Sequence, residues 1–106
     1  MSYDTIRLLA EPTDEIEYSH ILIIIRNMAG QDLYLAVKKT ATFLDLRFYV
    51  ALMRGITYYK VHLMLDYNKL DDSTCIYTLQ PLLEKKNNVV DILVDEDIVQ
   101  PNKFMS

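Results

Sequence analysis

Four short stretches of this chain carry apolar residues at every second position. Each stretch places three such side chains on one face: Ile21/Ile23/Ile25, Leu33/Leu35/Val37, Val61/Leu63/Leu65 and Val90/Ile92/Val94. A period of two is typical of a β-strand with one buried face. The first two stretches are separated by residues 27–32, where Gly30 can adopt a positive φ and let the chain reverse. The sequence therefore predicts four strands, the first two in an antiparallel hairpin.

Between the second and third strands the apolar period changes to that of a helix. Phe43, Leu46 and Val50 recur at helical spacing. Thr42 can cap the first turn, and Asp45 three residues later can complete a capping box. Gly55 follows Arg54 as a typical C-terminal stop. These signals predict a helix over Phe43–Arg54.

The order of elements predicts an α+β fold. Each element has one apolar face, and all of these faces must share one core. The arrangement that satisfies this is a β-β-α-β-β roll with one helix packed across one face of the sheet, known as the β-grasp.

Short motifs along the chain resemble those of the ubiquitin-like family. They are residues 23–30 (IIIRNMAG), 33–37 (LYLAV), Gly55-Ile56 after the helix, 63–65 (LML) and 69–72 (KLDD). The resemblance extends from about residue 21 to residue 94. It implies a ubiquitin-like roll that forms a single domain.

The net charge of −4 is concentrated at the two ends of the chain. Residues 1–19 hold five acidic residues and one basic residue, whereas residues 20–88 hold six acidic and nine basic residues. We divide the chain into an acidic N-terminal arm (1–19), a ubiquitin-like domain (20–95) and a C-terminal tail (96–106), and expect both extensions to be flexible. The weak positive charge of the body argues against a nucleic acid partner.

Neither a membrane span nor a disulfide framework is expected. No apolar run approaches the roughly 20 residues that a bilayer span needs. The single cysteine, Cys75, cannot form an internal disulfide and favours a reducing compartment, so we expect the cytoplasm, the nucleus or both.

The sequence does not predict an enzyme. Nucleophilic or acid-base catalysis needs several groups brought together, and the candidates His20, His62 and Cys75 form no motif. We expect no catalytic residues, no metal site and no cofactor. Conjugating members of the ubiquitin-like family use a C-terminal diglycine, which this sequence lacks, so the resemblance implies a non-conjugating protein.

Two surfaces are candidates for binding a protein partner. On the sheet, Met28, His62, Met64 and Leu93 alternate with the core positions, and the resemblance places Met28, Met64 and Leu93 at the apolar recognition patch of ubiquitin. Methionine is flexible and suits surfaces that adapt to a partner. These residues could equally be singly exposed side chains of no functional meaning, or be covered by a tail.

The outer face of the predicted helix is the second candidate. If Phe43, Leu46 and Val50 face the core, then Leu44, Phe48 and Leu52 line the opposite side, where charged residues are usual. An apolar strip there indicates a partner interface or a covering segment. The covering segment could be the N-terminal arm, through Tyr3, Ile6, Leu8 and Leu9. An error in the helix phase is the third alternative.

These observations predict a non-catalytic protein–protein interaction module. The chain is similar in short motifs to the elongin B subunits of ubiquitin-ligase complexes, which implies an adaptor subunit in a hetero-complex. A ubiquitin mimic that docks onto ubiquitin receptors or the proteasome is the alternative. From other classes, a processed modifier or carrier and a nucleic-acid-binding β-grasp module also stay open.

Overall fold

The structure of the chain is a computed structural model that describes residues 5–26 and 31–95. The predicted hairpin turn at Gly30, the sheet-face residue Met28, Tyr3 of the arm and the tail 96–106 lie outside the described residues. No helix in the described part is both long and apolar enough to cross a bilayer.

Six strands and two α-helices make up the described part of the chain. The strands are β1 (Ile6–Leu9), β2 (His20–Arg26), β3 (Leu33–Lys38), β4 (Val61–Leu65), β5 (Asn68–Lys69) and β6 (Val89–Val94). The helices are α1 (Phe43–Arg54) and α2 (Gln80–Lys85), and two short 3-10 helices span Tyr58–Lys60 and Ile76–Leu79. The predicted β-grasp class is confirmed, with four major strands where the sequence placed them.

The strands form one mixed sheet in the order β1-β3-β2-β6-β4-β5. Strands β2 and β6 run parallel at its centre, and every other neighbouring pair is antiparallel. Helix α1 crosses one face of this sheet, and the core fills the space between them. Nine of the twelve inward residues predicted on the four strands are buried in this core, together with Phe43, Leu46 and Val50 of α1. Leu33 and Ile92 are partly buried against it, and Val94 at the end of β6 is half-buried outside it.

Helix α1 begins and ends where the local signals predict. Thr42 and Asp45 form the reciprocal capping box, with each side chain accepting a hydrogen bond from the other residue's backbone N–H. Gly55 closes the helix with φ of 66°, a left-handed conformation that glycine adopts without strain. Because Phe43, Leu46 and Val50 are buried, the predicted helix phase is correct.

The segment set apart as the N-terminal arm contributes strand β1, which the sequence analysis did not predict. Its four residues pair antiparallel with β3, and both end residues, Ile6 and Leu9, are buried. Ile6 lies opposite Val37 and so faces the core and α1, whereas Arg7 lies opposite Ala36 on the other face. The two end residues of β1 are buried and the two middle residues are exposed. This strand therefore lacks the period of two from which the other strands were predicted.

Residues 10–19 cross the face of the sheet that points away from α1. They must pass over β3, because β1 and β2 flank that strand and run parallel to each other. Arg7 holds the crossing segment by an ion pair of 3.0 Å to Glu17 and a hydrogen bond of 3.2 Å to the Glu15 carbonyl. Ala36 on this face is fully buried although no helix covers it. The acidic segment therefore shields one end of the outer sheet face.

Candidate functional site

Residues of four strands meet in a row on the outer face of the sheet. The register places Arg26, Asp91, Met64 and Lys69 side by side on β2, β6, β4 and β5, and Leu93 beside His62 in the next row. The structure thus brings together the predicted residues His62, Met64 and Leu93 on one face. We call His62, Met64 and Leu93 the sheet patch.

One ion pair and one histidine–carboxylate hydrogen bond interrupt the apolar character of the sheet patch. Arg26 Nε lies 3.3 Å from Asp91 Oδ1, directly beside Met64. His62 Nε2 lies 2.8 Å from Asp95 Oδ2, and the hydrogen bond from His62 lowers the pKa of the Asp95 carboxyl. Met64 is half-buried, which leaves Leu93, 49% exposed, as the prominent apolar side chain of the sheet patch.

The outer face of α1 carries a larger continuous apolar surface. Phe48 is 41% exposed and Leu52 is 78% exposed, while Leu44 one turn earlier is half-buried. Tyr58 lies against Phe48 with the ring centroids 4.4 Å apart, and Tyr59 meets Tyr58 edge-on at 5.9 Å. We call these five residues (Leu44, Phe48, Leu52, Tyr58 and Tyr59) the helix patch.

Arg47 fixes the aromatic part of the helix patch in place. Its Nε donates to the backbone carbonyls of Tyr58 and Val61, and its Nη1 forms an ion pair of 2.9 Å with Asp72. The guanidinium also lies 5.6 Å from the centroid of the Tyr58 ring. The Arg47 side chain is only 14% exposed, whereas that of its partner Asp72 is 42% exposed. Arg47 therefore ties the 3-10 helix Tyr58–Lys60 to α1 and holds Tyr58 against Phe48.

The N-terminal segment does not cover the helix patch in the described part of the chain. Ile6 packs into the core, and Leu9 lies on the opposite face of the sheet, beneath the crossing segment. Leu8 is 48% exposed at the sheet edge. Of the three explanations considered for the apolar strip, the covering arm fails for residues 5–19, the phase error is wrong, and the partner interface stays a prediction.

Tyr58, Tyr59 and Arg47 were not among the residues predicted for this surface. The two tyrosines lie between Gly55 and strand β4, where the sequence offers no periodic pattern. One signal could have pointed to them: two consecutive aromatic residues in a connection are unusual unless they pack on a neighbouring element or face a partner. Arg47 gives no such signal, because its role depends on carbonyls that only the folded chain brings near.

The titratable residues considered for catalysis lie apart in different surroundings. His20 Nδ1 lies 2.8 Å from Ser19 Oγ and 3.5 Å from Glu17 Oε2. His62 is bound to Asp95, and Cys75 is half-buried beside Thr42 in an isolated bridge. Among residues 5–26 and 31–95, no group of three His, Cys, Asp or Glu could hold a metal ion.

Comparisons with known proteins identify the fold. No family model matches the chain, and no curated protein matches its sequence. Among solved structures, the ubiquitin of Caldiarchaeum subterraneum is similar, with a TM-score of 0.59 and 18% identity over 76% of this chain and 99% of that one. The architecture described above and this likeness agree with the resemblance seen in the short motifs. The chain has the ubiquitin-like β-grasp fold, extended by an N-terminal strand and crossing segment.

Proposed function

We propose that this ubiquitin-like domain is a non-catalytic protein–protein interaction module that serves as an adaptor subunit of a larger complex, with the helix patch as its main docking surface. The observation that carries the proposal is the exposure of Phe48 and Leu52 beside two ordered tyrosines. Aromatic side chains in a fixed arrangement are typical anchors of protein interfaces, because little conformational entropy is lost when they bind.

The fixed geometry distinguishes the helix patch from scattered exposed residues. Surface hydrophobic residues that occur singly need no explanation, whereas contiguous ones indicate an interaction site. The hydrogen bonds and ion pair of Arg47 hold Tyr58 in place before any partner arrives. Similarity in short motifs to elongin B supports an adaptor role in a ubiquitin-ligase-like complex.

A ubiquitin mimic is the second candidate function. It would dock onto ubiquitin receptors through the sheet patch, and the exposure of Leu93 favours it. The Arg26–Asp91 ion pair and the His62–Asp95 hydrogen bond argue against it, because a partner would have to desolvate these polar groups or accommodate them. We therefore rank the sheet patch below the helix patch.

Two matched substitutions test which surface binds. Leu52→Glu and Leu93→Glu place the same charge on the two patches, at leucines that are 78% and 49% exposed. Both variants should fold, since exposed substitutions usually change stability by less than about 0.5 kcal/mol. The full chain and both variants are purified from the native cell, and co-purifying proteins are quantified by mass spectrometry.

We expect Leu52→Glu to lose a stoichiometric partner that Leu93→Glu retains. Loss with Leu93→Glu alone would assign binding to the sheet patch and favour the ubiquitin mimic. Retention of every partner by both variants would contradict docking through either patch.

A further inference from the structure

Strand β1 leaves one edge of the sheet unpaired. It is the first strand in the order β1-β3-β2-β6-β4-β5, and within residues 5–26 and 31–95 no segment pairs with its outer side. The unpaired backbone of an edge strand can accept a further strand. We infer that the outer edge of β1 binds an extended partner segment in which apolar residues alternate with Lys or Arg. This inference goes beyond the proposed function, because it concerns another surface.

The hydrogen-bond pattern shows which backbone groups of β1 face outward. The backbone N–H of Lys38 donates to the carbonyl of Thr5 at 2.8 Å, so these two residues form a hydrogen-bonded pair. Hydrogen-bonded pairs alternate along an antiparallel ladder, so every second residue after Thr5 also bonds to β3. The N–H and C=O groups of the residues between, Ile6 and Leu8, therefore point away from the sheet. We call these outward groups the β1 edge.

The β1 edge has less protection against an added strand than the opposite edge of the sheet. Edge strands are commonly protected by short length, lysine side chains or proline. At the opposite edge, β5 has only two residues, Asn68 and Lys69. Strand β1 has four residues and no proline, and its one charged side chain, Arg7, is held by Glu17 at 3.0 Å. Leu8 is 48% exposed, so an added strand would bury apolar surface as well as backbone groups.

The two faces of the sheet give an added strand two kinds of neighbour. Leu8 lies two residues after Ile6 and so points to the side of the sheet where α1 lies. An apolar side chain of the partner would lie beside Leu8 there. Arg7 points to the other side, toward the crossing segment. Successive partner residues would therefore alternate between an apolar neighbour and the crossing segment.

The crossing segment determines the charge that the partner should carry. It contains four acidic residues and no Lys or Arg. Two of them are engaged, Glu17 by Arg7 and Asp14 by backbone N–H groups. Glu11 and Glu15 are exposed, and neither carboxylate forms an ion pair with a described residue. The backbone carbonyl of Glu15 accepts from Arg7, which places Glu15 near the strand. Lys or Arg of the partner would pair with these carboxylates.

Other occupants fit the β1 edge less well. A second copy would bring a second crossing segment with the same excess of acidic residues near the first, and each chain carries −4. The same acidic residues would repel the phosphates of a nucleic acid. A basic extended segment satisfies the outward backbone groups, Leu8 and the free carboxylates together.

Three fluorescent peptides of about ten residues test the inference. Two carry Val at every second position, and the positions between hold Lys in one and Glu in the other. The third has the composition of the Lys peptide with its Val residues at helical spacing. Fluorescence anisotropy measures binding to the full chain at low and high salt. We expect the alternating Lys peptide to bind at least about tenfold more tightly than the other two at low salt, with a preference over Glu that salt reduces.

Amide hydrogen exchange locates the bound peptide. In the free chain the amide of Leu8 should exchange faster than that of Arg7, because only the Arg7 N–H faces β3. A saturating concentration of the Lys peptide should slow exchange at Leu8 by at least about tenfold. Unchanged exchange at Leu8 would overturn the inference.

Leu8→Pro and Leu8→Ala separate the backbone from the side chain. Both shorten the side chain, but only proline also removes the outward N–H, which takes no part in pairing with β3. Leu8→Pro should bind the Lys peptide about fivefold more weakly than Leu8→Ala, because one hydrogen bond is lost. Equal binding by two folded variants, as checked by circular dichroism, would show that the β1 edge is not used.

A charge variant keeps the test decisive if Leu8→Pro does not fold. Glu11→Lys combined with Glu15→Lys should remove the preference for the Lys peptide over the Glu peptide, and a retained preference would contradict the inferred partner. Concentration-dependent dimers that Leu8→Pro abolishes would assign the β1 edge to a second copy. Leu52→Glu in the helix patch should bind the Lys peptide like the unchanged chain. The inference and the proposed function can therefore fail independently.

Discussion

At the scale of single residues, one side chain connects the helix, a loop and a turn. Arg47 donates to two backbone carbonyls and pairs with Asp72 while it is largely shielded from water. Removing a largely shielded donor leaves its shielded acceptors without a protein partner, and this loss can exceed the net value of the bonds themselves. Arg47 is therefore expected to matter more for stability than any exposed ion pair of the chain.

The first prediction compares Arg47→Ala with Arg7→Ala. Arg47→Ala should lower the free energy of unfolding by about 1–3 kcal/mol, because the carbonyls of Tyr58 and Val61 and the Asp72 carboxylate lose their donor. Arg7 forms an exposed pair with Glu17, so its removal should change stability by less than about 1 kcal/mol. Urea unfolding measures both. Equal effects would show that the Arg47 bonds do not hold the loop.

The second prediction concerns the pH dependence of Asp95. The His62 hydrogen bond lowers the pKa of this carboxyl in the folded chain. A lowered folded-state pKa stabilises the fold at pH values above the unfolded pKa of aspartate, and this contribution is lost as the pH falls through the folded pKa. In carboxyl-carbon NMR titrations, Asp95 should titrate below the usual aspartate range.

Asp71 supplies the internal control for this titration. Hydrogen bonds from Ser73 lower the pKa of Asp71, and they do not involve His62. His62→Leu should therefore raise the pKa of Asp95 and leave that of Asp71 unchanged. If the pKa of Asp95 is the same in this variant, a group other than His62 lowers it.

At the scale of elements, strand β1 has a buried side chain at each end, and the two side chains lie on opposite faces of the sheet. Ile6 faces the core, and Leu9 faces the crossing segment 10–19. Leu8 and Leu9 are neighbours of the same type, but Leu8 is 48% exposed and Leu9 is 5% exposed. This pair allows the crossing segment to be tested with two identical substitutions.

The third prediction is that Leu9→Ala costs about 2–4 kcal/mol and Leu8→Ala less than about 1 kcal/mol. The first leaves a cavity beneath the crossing segment, whereas the second removes atoms that are already half in water. Thermal and urea unfolding of both variants give the comparison. Similar small losses for the two leucines would show that residues 10–19 do not pack on the sheet in solution.

The elements differ in how much of them a sequence pattern can predict. Helix α1 could be predicted to its end residues, because its capping box and Gly55 act within a few residues of one another. The four major strands followed from a period of two. Strands β1 and β5 have only four and two residues, and the six residues of helix α2 make fewer than two turns, so their periods do not show. They form because neighbours distant in sequence complete their pairing or burial.

The candidate site also divides into residues that a sequence pattern predicts and contacts that only the folded chain shows. Spacing along one helix was sufficient to place Leu44, Phe48 and Leu52 on a common outer face. The contact of Phe48 with Tyr58 joins α1 to a loop, and the pair Arg26–Asp91 joins β2 to β6 across a parallel register. Neither contact has a local sequence signal, so the ranking of the two patches required the structure.

At the scale of the whole molecule, the folded unit begins earlier than the ubiquitin-like motifs do. The motifs start near residue 21, yet β1 and the crossing segment bury parts of both faces of β3. Ala36 and Val37 are fully buried, and each lies directly opposite a β1 residue. A chain that begins at His20 would expose this side of the sheet to water.

The last prediction is that a chain beginning at His20 is much less stable than one beginning at Thr5. Losing the burial of Ile6 and Leu9 alone should lower the free energy of unfolding by about 3–6 kcal/mol, since each fully buried aliphatic side chain contributes about 1.5–3 kcal/mol. This is a large part of the 5–15 kcal/mol typical of small domains. Circular dichroism and urea unfolding compare the two chains. Equal stability would mean that residues 5–19 form an arm independent of the fold, whereas the expected loss would place residues 5–19 in the fold that supports both patches.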